Sequence, residues 1–238
     1  MNLANEMSTD VFDWFETPCE SLGPRIRETV LIDGNFFEIN RPNNSDRMLG
    51  DPATSSALAI SAYLPCWADL WPASRMLAKA VLREPWGLYS SALELGCGLG
   101  LPGIAALARG WHVTFSDRDL TALRFAGSNS KLNGYEEFKL LPLDWRRPPD
   151  GFAFPLVLAS DPAYERGQVE ALVATINKML ASEGMCLLTD QNRPAAAWLR
   201  QELMANDLVF TEEGMRAGEP GGRRFKGSLY RIRHRTTV

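Results

Sequence analysis

The chain of 238 residues is 45% hydrophobic and 23% charged, and its formal net charge is −4. This composition is typical of a globular protein with a sizeable core, and the acidic balance argues against a nucleic-acid binder that relies on a broad basic surface. The four cysteines form no CxxC pair and there are only two histidines, so neither a disulfide framework nor a metal site is expected.

The beginning of the sequence has neither the basic segment nor the apolar core of a secretory signal, and no apolar run approaches membrane-spanning length. We therefore expect a cytoplasmic protein with no membrane partner, and a monomer. The predicted organisation is an extension over residues 1–65, with a hairpin and a linker, followed by one large domain over residues 66–238.

The first predicted element is a β-hairpin from Thr29 to Ile39, in which Asp33 and Gly34 suit the positive φ angles of a tight turn. Residues 40–56 are rich in Pro, Asn and Ser and are predicted to form a loop. The apolar spacing after Pro72 then predicts a helix, because proline is well tolerated in a first helical turn.

From Ser91 onward, strand-like segments alternate with helical ones. This alternation predicts right-handed βαβ units and therefore a doubly wound, mostly parallel α/β sheet of seven strands, with helices on both faces. The last two strands have no helix between them, so they are expected to pair antiparallel at one edge of the sheet.

A glycine-rich stretch, LELGCGLGLPG, joins the first parallel strand to the next helix. Glycines there let the backbone turn sharply and approach a ligand that a Cβ atom would exclude. A dinucleotide site would need GxGxxG, but Leu101 stands at the third glycine position, and no Gly-Lys-Ser/Thr ending indicates a P-loop. Glu94, Gly96 and Gly98 instead resemble ExGxGxG, the pattern of class I S-adenosylmethionine-dependent methyltransferases, and would hold the methionine end of that cofactor.

The next two strand ends offer the other groups that this cofactor requires. Asp117 closes the second strand, where a carboxylate can accept hydrogen bonds from the ribose diol. Asp144 and Trp145 close the third strand, where an acid can bind the adenine amine and an indole can lie against the purine. All of these residues belong to the carboxyl edge of the sheet, where open α/β folds bind ligands.

The fourth strand ends at Ser160 and is followed by the corner Asp-Pro-Ala-Tyr. Methyl transfer needs a nitrogen lone pair about 3 Å from the methyl carbon, so the site must hold a neutral amine or accept its proton. We expect Asp161 and Tyr164 to orient the acceptor nitrogen, and Ser160 to contact the cofactor.

From Thr29 onward the motifs WADLWPAS, LELGCGLGLPGIAAL, VTFSD, LDW and ASDPAYE resemble those of the seven-β-strand protein lysine methyltransferases. The resemblance is greatest to the type that modifies the electron-transfer flavoprotein β subunit. It implies that Trp71 lies beside the cofactor and that Trp145 flanks the adenine. It also implies that Asp161 and Tyr164, as a DxxY/F signature, face the amine of a protein substrate.

Pro162 departs from that family, whose members commonly read DVLYE at this corner, and makes DPAY similar to the [DNS]PP[YF] motif of amino-methyltransferases. Those enzymes act on planar amino groups of adenine, glutamine or cytosine. Ala163 in place of the second proline, and Glu165, favour a cationic protein side chain over a nucleic acid. The sequence is also compatible with a small-molecule N-methyltransferase, or with a regulatory protein that binds the cofactor without activity.

The segment TDQNRP ends the fifth strand at the same edge of the sheet. Asp190, Asn192 and Arg193 are therefore further candidates for substrate contact. The basic turn GGRRFKG, between the last two strands, is expected to be a solvated loop.

Overall fold

The computed structural model describes residues 25–43, 66–87, 90–162, 166–193, 195–218 and 224–235. The strands are β1 (Arg25–Ile32), β2 (Asn35–Pro42), β3 (Ser91–Leu95), β4 (His112–Asp117), β5 (Lys139–Pro142), β6 (Phe154–Ser160), β7 (Leu180–Asp190), β8 (Leu208–Gly218) and β9 (Arg224–His234). The helices are α1 (Pro72–Arg83), α2 (Leu101–Ala108), α3 (Leu120–Leu132), α4 (Arg166–Met179) and α5 (Ala195–Ala205), and one turn of 3-10 helix, Cys66–Ala68, precedes α1.

The main sheet has seven strands in the order β5-β4-β3-β6-β7-β9-β8. Strands β3 to β7 pair in parallel, whereas β9 is antiparallel to both β7 and β8. This arrangement confirms the predicted doubly wound sheet and the antiparallel pair at one edge. The strand order reverses between β3 and β6, and the crevice outside the carboxyl ends of those two strands is the usual ligand position in such sheets.

The sheet is covered on both faces, as a parallel sheet requires. On one face α1, α2 and α3 pack with the hairpin around a core that includes Met185, Leu156 and Phe115. On the other face α4 and α5 pack on Leu93, Leu95 and further apolar residues of β6 and β7. Consecutive residues of β3 therefore alternate between the two cores.

The hairpin of β1 and β2 turns at Asp33 and Gly34, which both have positive φ angles, 48° and 81°. The prediction of a tight turn there is confirmed. Its inward face buries Val30 and Phe37, which pair across the strands, against the helices of the main domain. Over β1 and β2, the predicted extension is thus packed on the same core as the domain.

The closing hairpin is longer than predicted. We expected the basic turn GGRRFKG to be a loop, but β9 already begins within it, at Arg224, which pairs with Gly218 at the end of β8. Backbone hydrogen bonds between β8 and β9 extend the strand pairing to polar residues of low strand propensity. Among the described residues, no helix has the length and apolar character needed to cross a membrane.

Candidate functional site

The loop after β3 has the backbone shape that only glycine adopts freely. Gly96 and Gly98 have φ angles of +63° and +52°, and Gly100, which caps the start of α2, has +84°. A Cβ atom on Gly96 would lie 3.0 Å from Cζ2 of Trp145, and one on Gly98 would lie 3.3 Å from the carbonyl oxygen of Trp67. The loop is therefore bounded by two tryptophans, in contact with its glycines.

Glu94, the acid before this loop, is 1% exposed. Its Oε2 accepts a hydrogen bond of 2.9 Å from the N–H of Gly103 in α2, while Oε1 has no partner among the described residues. Burial raises the pKa of Glu94 well above its usual value, and the negative charge of Asp117 adds to that rise. In the structure Glu94 joins the strand to the following helix, which fixes the loop between them.

Asp117 lies at the end of β4 and is 8% exposed. Its carboxylate accepts hydrogen bonds from the N–H groups of Gly98, at 3.1 Å, and Asp119, at 2.9 Å. Burial raises the pKa of Asp117 to about 6, although both hydrogen bonds act in the opposite direction. The predicted acid is therefore hydrogen-bonded directly to the glycine loop through the N–H of Gly98.

Trp67 and Asp119 border the loop and were not singled out from the sequence. The Nε1–H of Trp67 donates a 2.7 Å hydrogen bond to Oδ2 of Asp119, whose Oδ1 accepts from Thr121 at the start of α3. The Trp67 ring also lies 5.5 Å from the ring of Phe125. The partners are 52 residues apart in the chain, so no local pattern signals the contact.

Asp144 follows β5 and forms an ion pair of 2.5 Å with Arg146. This pairing lowers the pKa of Asp144 to about 2. The neighbouring Trp145 packs on the core with its ring against Gly96, and its carbonyl oxygen accepts from Thr175 of α4 at 2.9 Å. The indole therefore lies against the glycine loop, whereas the carboxylate of Asp144 pairs with the neighbouring Arg146.

Asp161 forms the sharp corner after β6. Its φ angle is +46°, uncommon for a residue other than glycine, and it is 3% exposed. Its N–H donates to the carbonyl oxygen of Thr189 in β7 at 2.7 Å. Oδ2 accepts from Gln191 at 2.7 Å and from Arg193 at 2.6 Å, whereas the buried Oδ1 has no hydrogen-bond partner among the described residues.

Arg193 also connects this corner to the first helix. Its guanidinium carbon lies 5.5 Å from the centre of the Trp71 ring, within the range of a cation–π contact. Trp71 precedes α1 in an extended conformation, and its Nε1–H donates to the carbonyl oxygen of Cys66 at 2.5 Å. Trp71, Arg193 and Asp161 thus form one continuous line of contacts.

Asp190, the last residue of β7, is 4% exposed and accepts a 3.0 Å hydrogen bond from the N–H of Arg193. Burial, and then the negative charge of Asp161, raise its pKa to about 6. The side chain of Asn192 instead turns toward β9, where its Oδ1 accepts from Ser228 at 2.9 Å.

The sheet brings most of the predicted residues to one edge. Leu95 of β3 pairs with Ala159 of β6, so the glycine loop and Ser160 leave the sheet side by side. The predicted site residue Tyr164 lies outside the described residues. Gln191 and the pairing of Arg193 with Asp161 are the additions that the structure makes.

Comparison with known proteins identifies the kind of molecule that carries this site. The family described as lysine methyltransferase matches residues 63–205. The protein-lysine N-methyltransferase rrg1 of Schizosaccharomyces pombe is 29% identical over 87% of this chain and 68% of its own length. The protein N-lysine methyltransferase METTL21A of Xenopus tropicalis is 30% identical over 53% of this chain and 61% of its own.

A further relative is the histidine protein methyltransferase 1 homolog of Dictyostelium discoideum, 31% identical over 51% of this chain but over only 42% of its own length. Among solved structures, a ribosomal protein L11 methylase from Lactobacillus delbrueckii superposes with a TM-score of 0.56 at 21% identity, covering 68% of this chain and 79% of that one. A TehB-like S-adenosylmethionine-dependent methyltransferase from Corynebacterium glutamicum superposes with a TM-score of 0.53 at 15% identity, covering 81% and 100%. These superpositions support the methyltransferase fold.

Proposed function

The chain belongs to the lysine methyltransferase family, and from this premise we propose that it transfers a methyl group from S-adenosylmethionine to a lysine side chain of a protein substrate. The resemblance predicted from the sequence motifs is confirmed at the level of the family. The observation that carries the proposal for the acceptor is the buried Asp161 carboxylate, with an oxygen that lacks a partner among the described residues, beside the glycine loop.

The described residues fit the methyl donor. Gly96 and Gly98 give the loop the positive φ angles of a sharp turn at the carboxyl edge of the sheet, and the Trp145 ring, packed against Gly96, supplies an aromatic face next to the loop. Asp117 is bonded to the N–H of Gly98 in the loop, and we assign its carboxylate the task of accepting hydrogen bonds from the ribose hydroxyls. We assign Glu94 the task of holding the loop and Trp71 that of lining the donor side of the acceptor corner.

We assign Asp144 a contact with the adenine amine of the donor. Its carboxylate is paired with the exposed Arg146, and an adenine amine would compete with that pair or bind a backbone group beside it. Ser160 leaves the sheet next to Gly96 and is assigned a contact with the donor. Tyr164 follows Asp161 by three residues and is assigned a contact with the acceptor nitrogen.

When bound, the donor would supply an electrophilic methyl group to the neutral acceptor nitrogen; its carbon–sulfur bond would break as the nitrogen–carbon bond forms, which would release S-adenosylhomocysteine and one proton from the amine. Asp161 would accept a hydrogen bond from an N–H of the acceptor on Oδ1, which orients the lone pair on the opposite side of the nitrogen. The corner would also exclude water, because Asp161 and the adjoining ends of β6 and β7 are buried. No covalent intermediate with the protein is required.

Membership of the family favours a protein acceptor over a nucleobase or a small molecule. The names of the relatives specify lysine, an N-terminal amine or histidine, all nitrogens of proteins. The similarity of DPAY to a motif for planar amino groups has only Pro162 to support it. The intact acid at the acceptor corner argues against a protein that binds the donor without turnover.

The test is methylation of fractionated cell extract with an isotopically labelled methyl donor, followed by mass spectrometry of the labelled species. We expect label on a lysine of a protein of the extract. Asp161→Ala is expected to bind S-adenosylhomocysteine with affinity within about threefold of the wild type and to lose turnover by about 100-fold or more. Label on a histidine, on an RNA or only on small molecules would replace the lysine assignment by that acceptor.

A further inference from the structure

Both nitrogen donors that reach Asp161 approach the same oxygen. Gln191 and Arg193 hydrogen-bond to Oδ2, at 2.7 Å and 2.6 Å, and the buried Oδ1 is left without a partner among the described residues. Buried carboxylate oxygens are nearly always hydrogen-bonded, so an unfilled one indicates a missing donor. Gln191 and Arg193 therefore determine that Oδ1, and not Oδ2, is the oxygen of Asp161 that can accept a further hydrogen bond.

The same corner concentrates negative charge. Asp161 and Asp190 are 3% and 4% exposed, and the charge of Asp161 contributes to raising the pKa of Asp190. Arg193 contacts both: its guanidinium pairs with Asp161, and its backbone N–H donates to Asp190. A guanidinium stays protonated at every working pH and so compensates one of the two buried charges.

The other elements packed at this corner bring uncharged groups. Trp71 comes from α1, and the β9 residue opposite Asp190 is Ser228. The nearest acid of β8, Glu212, is connected through the hydroxyl of Ser228, which lies 2.8 Å from it. Among the described residues at this corner, Arg193 is thus the cation that pairs with Asp161, and its backbone N–H bonds to Asp190.

We propose that Arg193 is a positioning residue for methyl transfer, which holds Oδ2 of Asp161 and, together with Gln191, leaves Oδ1 as the single oxygen that accepts the N–H of the substrate amine. This inference rests on the proposed function. Without Arg193, no guanidinium would offset the charges of the two buried carboxylates, and the pair would take up a proton, as uncompensated buried acids do. A protonated Asp161 would offer a donor where the amine needs an acceptor.

The consequence is a change in the pH dependence of turnover. An uncompensated pair must lose its shared proton before the amine can bind productively, so the acidic limb of the rate profile moves to higher pH. For Arg193→Gln, which keeps a hydrogen-bond donor and removes the charge, we expect a shift of about one pH unit and a roughly tenfold lower rate near neutrality. Arg193→Lys keeps the charge, and its limb is expected to stay with the wild type.

The experiment measures transfer of labelled methyl to a heat-treated protein extract between about pH 6 and pH 9.5, for the wild type and each variant. Calorimetric binding of S-adenosylhomocysteine accompanies every profile and reports folding and donor-site integrity. Arg83→Gln is the matched control, because Arg83 pairs with Asp33 at the turn of the first hairpin, away from the corner; its limb is expected to coincide with the wild type. Recovery of the Arg193→Gln rate at high pH separates loss of charge from general damage.

A limb of Arg193→Gln that coincides with the wild type, while both bind S-adenosylhomocysteine, would overturn the role of Arg193 and leave the proposed function standing. If Arg193→Gln fails to bind S-adenosylhomocysteine, the variant Gln191→Glu provides the test instead. It keeps Arg193 but adds a third carboxylate at the corner, so the acidic limb is again expected to move to higher pH. An unshifted limb of this variant would equally overturn the proposal. A wild type that labels no protein removes the proposed function, and this inference with it.

Discussion

At the scale of single residues, two glycines that both require a positive φ angle differ in what surrounds them, and this difference separates backbone strain from loss of a contact. Gly96 and Gly134 both have positive φ angles, +63° and +85°, but a Cβ on Gly96 would lie 3.0 Å from the Trp145 ring, whereas nothing lies within 4 Å of one on Gly134. A side chain at either position costs about 1 kcal/mol in backbone strain. Gly96→Ala is therefore expected to weaken S-adenosylhomocysteine binding by about tenfold or more, since it also displaces the Trp145 indole, which we propose lines the donor site.

Gly134→Ala is the matched control for that substitution. It should lower the free energy of unfolding by a similar amount and leave the affinity for S-adenosylhomocysteine unchanged. Calorimetry on both variants checks the prediction. Equal affinities for the two variants would mean that the loop around Gly96 does not hold the donor.

Asp117 gives a prediction about pH. Its pKa is raised to about 6 by burial, so the carboxylate is ionised above that value and protonated below it. Hydrogen bonds from a ribose diol favour the ionised form. The affinity for S-adenosylhomocysteine is therefore expected to fall as the pH drops through about 6, approaching tenfold for each unit below it.

The variant Asp117→Asn isolates this effect from the other buried acids. It should bind the product more weakly at pH 7.5, and its affinity should change less between pH 7.5 and pH 5 than that of the wild type. Calorimetric titrations at several pH values measure both slopes. If the wild-type affinity were constant across this range, Asp117 would not be the group that binds the ribose.

At the scale of elements, two asparagines at the end of α3 hydrogen-bond to the β1–β2 hairpin, and one of them also bonds to the glycine loop. Asn129 is fully buried; it exchanges hydrogen bonds with the backbone of Asn40 in β2 and donates to the carbonyl oxygen of Leu99 in the glycine loop, at 3.0 Å. Asn133 binds the backbone of Glu38 in the same way but makes no hydrogen bond to the loop among the described residues. One asparagine thus couples hairpin and loop, and the other serves the hairpin.

Replacing these asparagines separates the two tasks. Asn129→Ala leaves buried backbone groups of Asn40 and Leu99 without partners and is expected to lower the free energy of unfolding by about 2–4 kcal/mol and to weaken S-adenosylhomocysteine binding. Asn133→Ala should destabilise the chain by about 1–2 kcal/mol with unchanged affinity, because it leaves the loop intact. Urea denaturation and calorimetry measure the two quantities, and an equal loss of affinity in both variants would contradict the coupling through Leu99.

What could be predicted from the sequence at this scale were the features that local chemistry determines. The hairpin turn at Asp33 and Gly34, the proline near the start of α1 and the end of α3 before Gly134 all follow from backbone preferences of single residues. The strand ends follow from the apolar periodicity, and their convergence on one edge follows from the handedness of βαβ units.

The contacts that were missed join distant parts of the chain. Arg193 reaches Asp161 across 32 residues, and Trp67 reaches Asp119 across 52. The first depends on the pairing of β6 with β7 and on the positive φ angle of Asp161, which no motif prescribes. The sequence could therefore indicate which acids lie at the edge, but not which oxygen of Asp161 is already occupied.

At the scale of the whole molecule, the carboxylates at this edge oppose stability and favour function. Burial raises the pKa of Glu94, Asp117 and Asp190, the last two to about 6. Several buried acids at one edge of the sheet, hydrogen-bonded to backbone N–H groups, Gln191 and Arg193, are typical of a site that is completed by its ligands. The chain without donor is therefore expected to be less stable at neutral pH than it would be with these acids neutralised.

The sign of the pH dependence follows from proton binding. Between the ordinary pKa of an aspartate, about 4, and the raised value of about 6 at Asp117 and Asp190, the folded chain binds more protons than the unfolded chain. The free energy of unfolding is therefore expected to rise as the pH falls from about 7 to about 5, by up to roughly 1.4 kcal/mol for each unit and group. Asp144 acts in the opposite direction, but its lowered pKa of about 2 places its loss of stabilisation below this window.

Urea denaturation of the donor-free chain at pH 7.5, 6 and 5 measures the trend, and Asp117→Asn should flatten it. A stability that falls steadily from pH 7.5 to pH 5 would show that these carboxylates are not buried at the edge of the sheet.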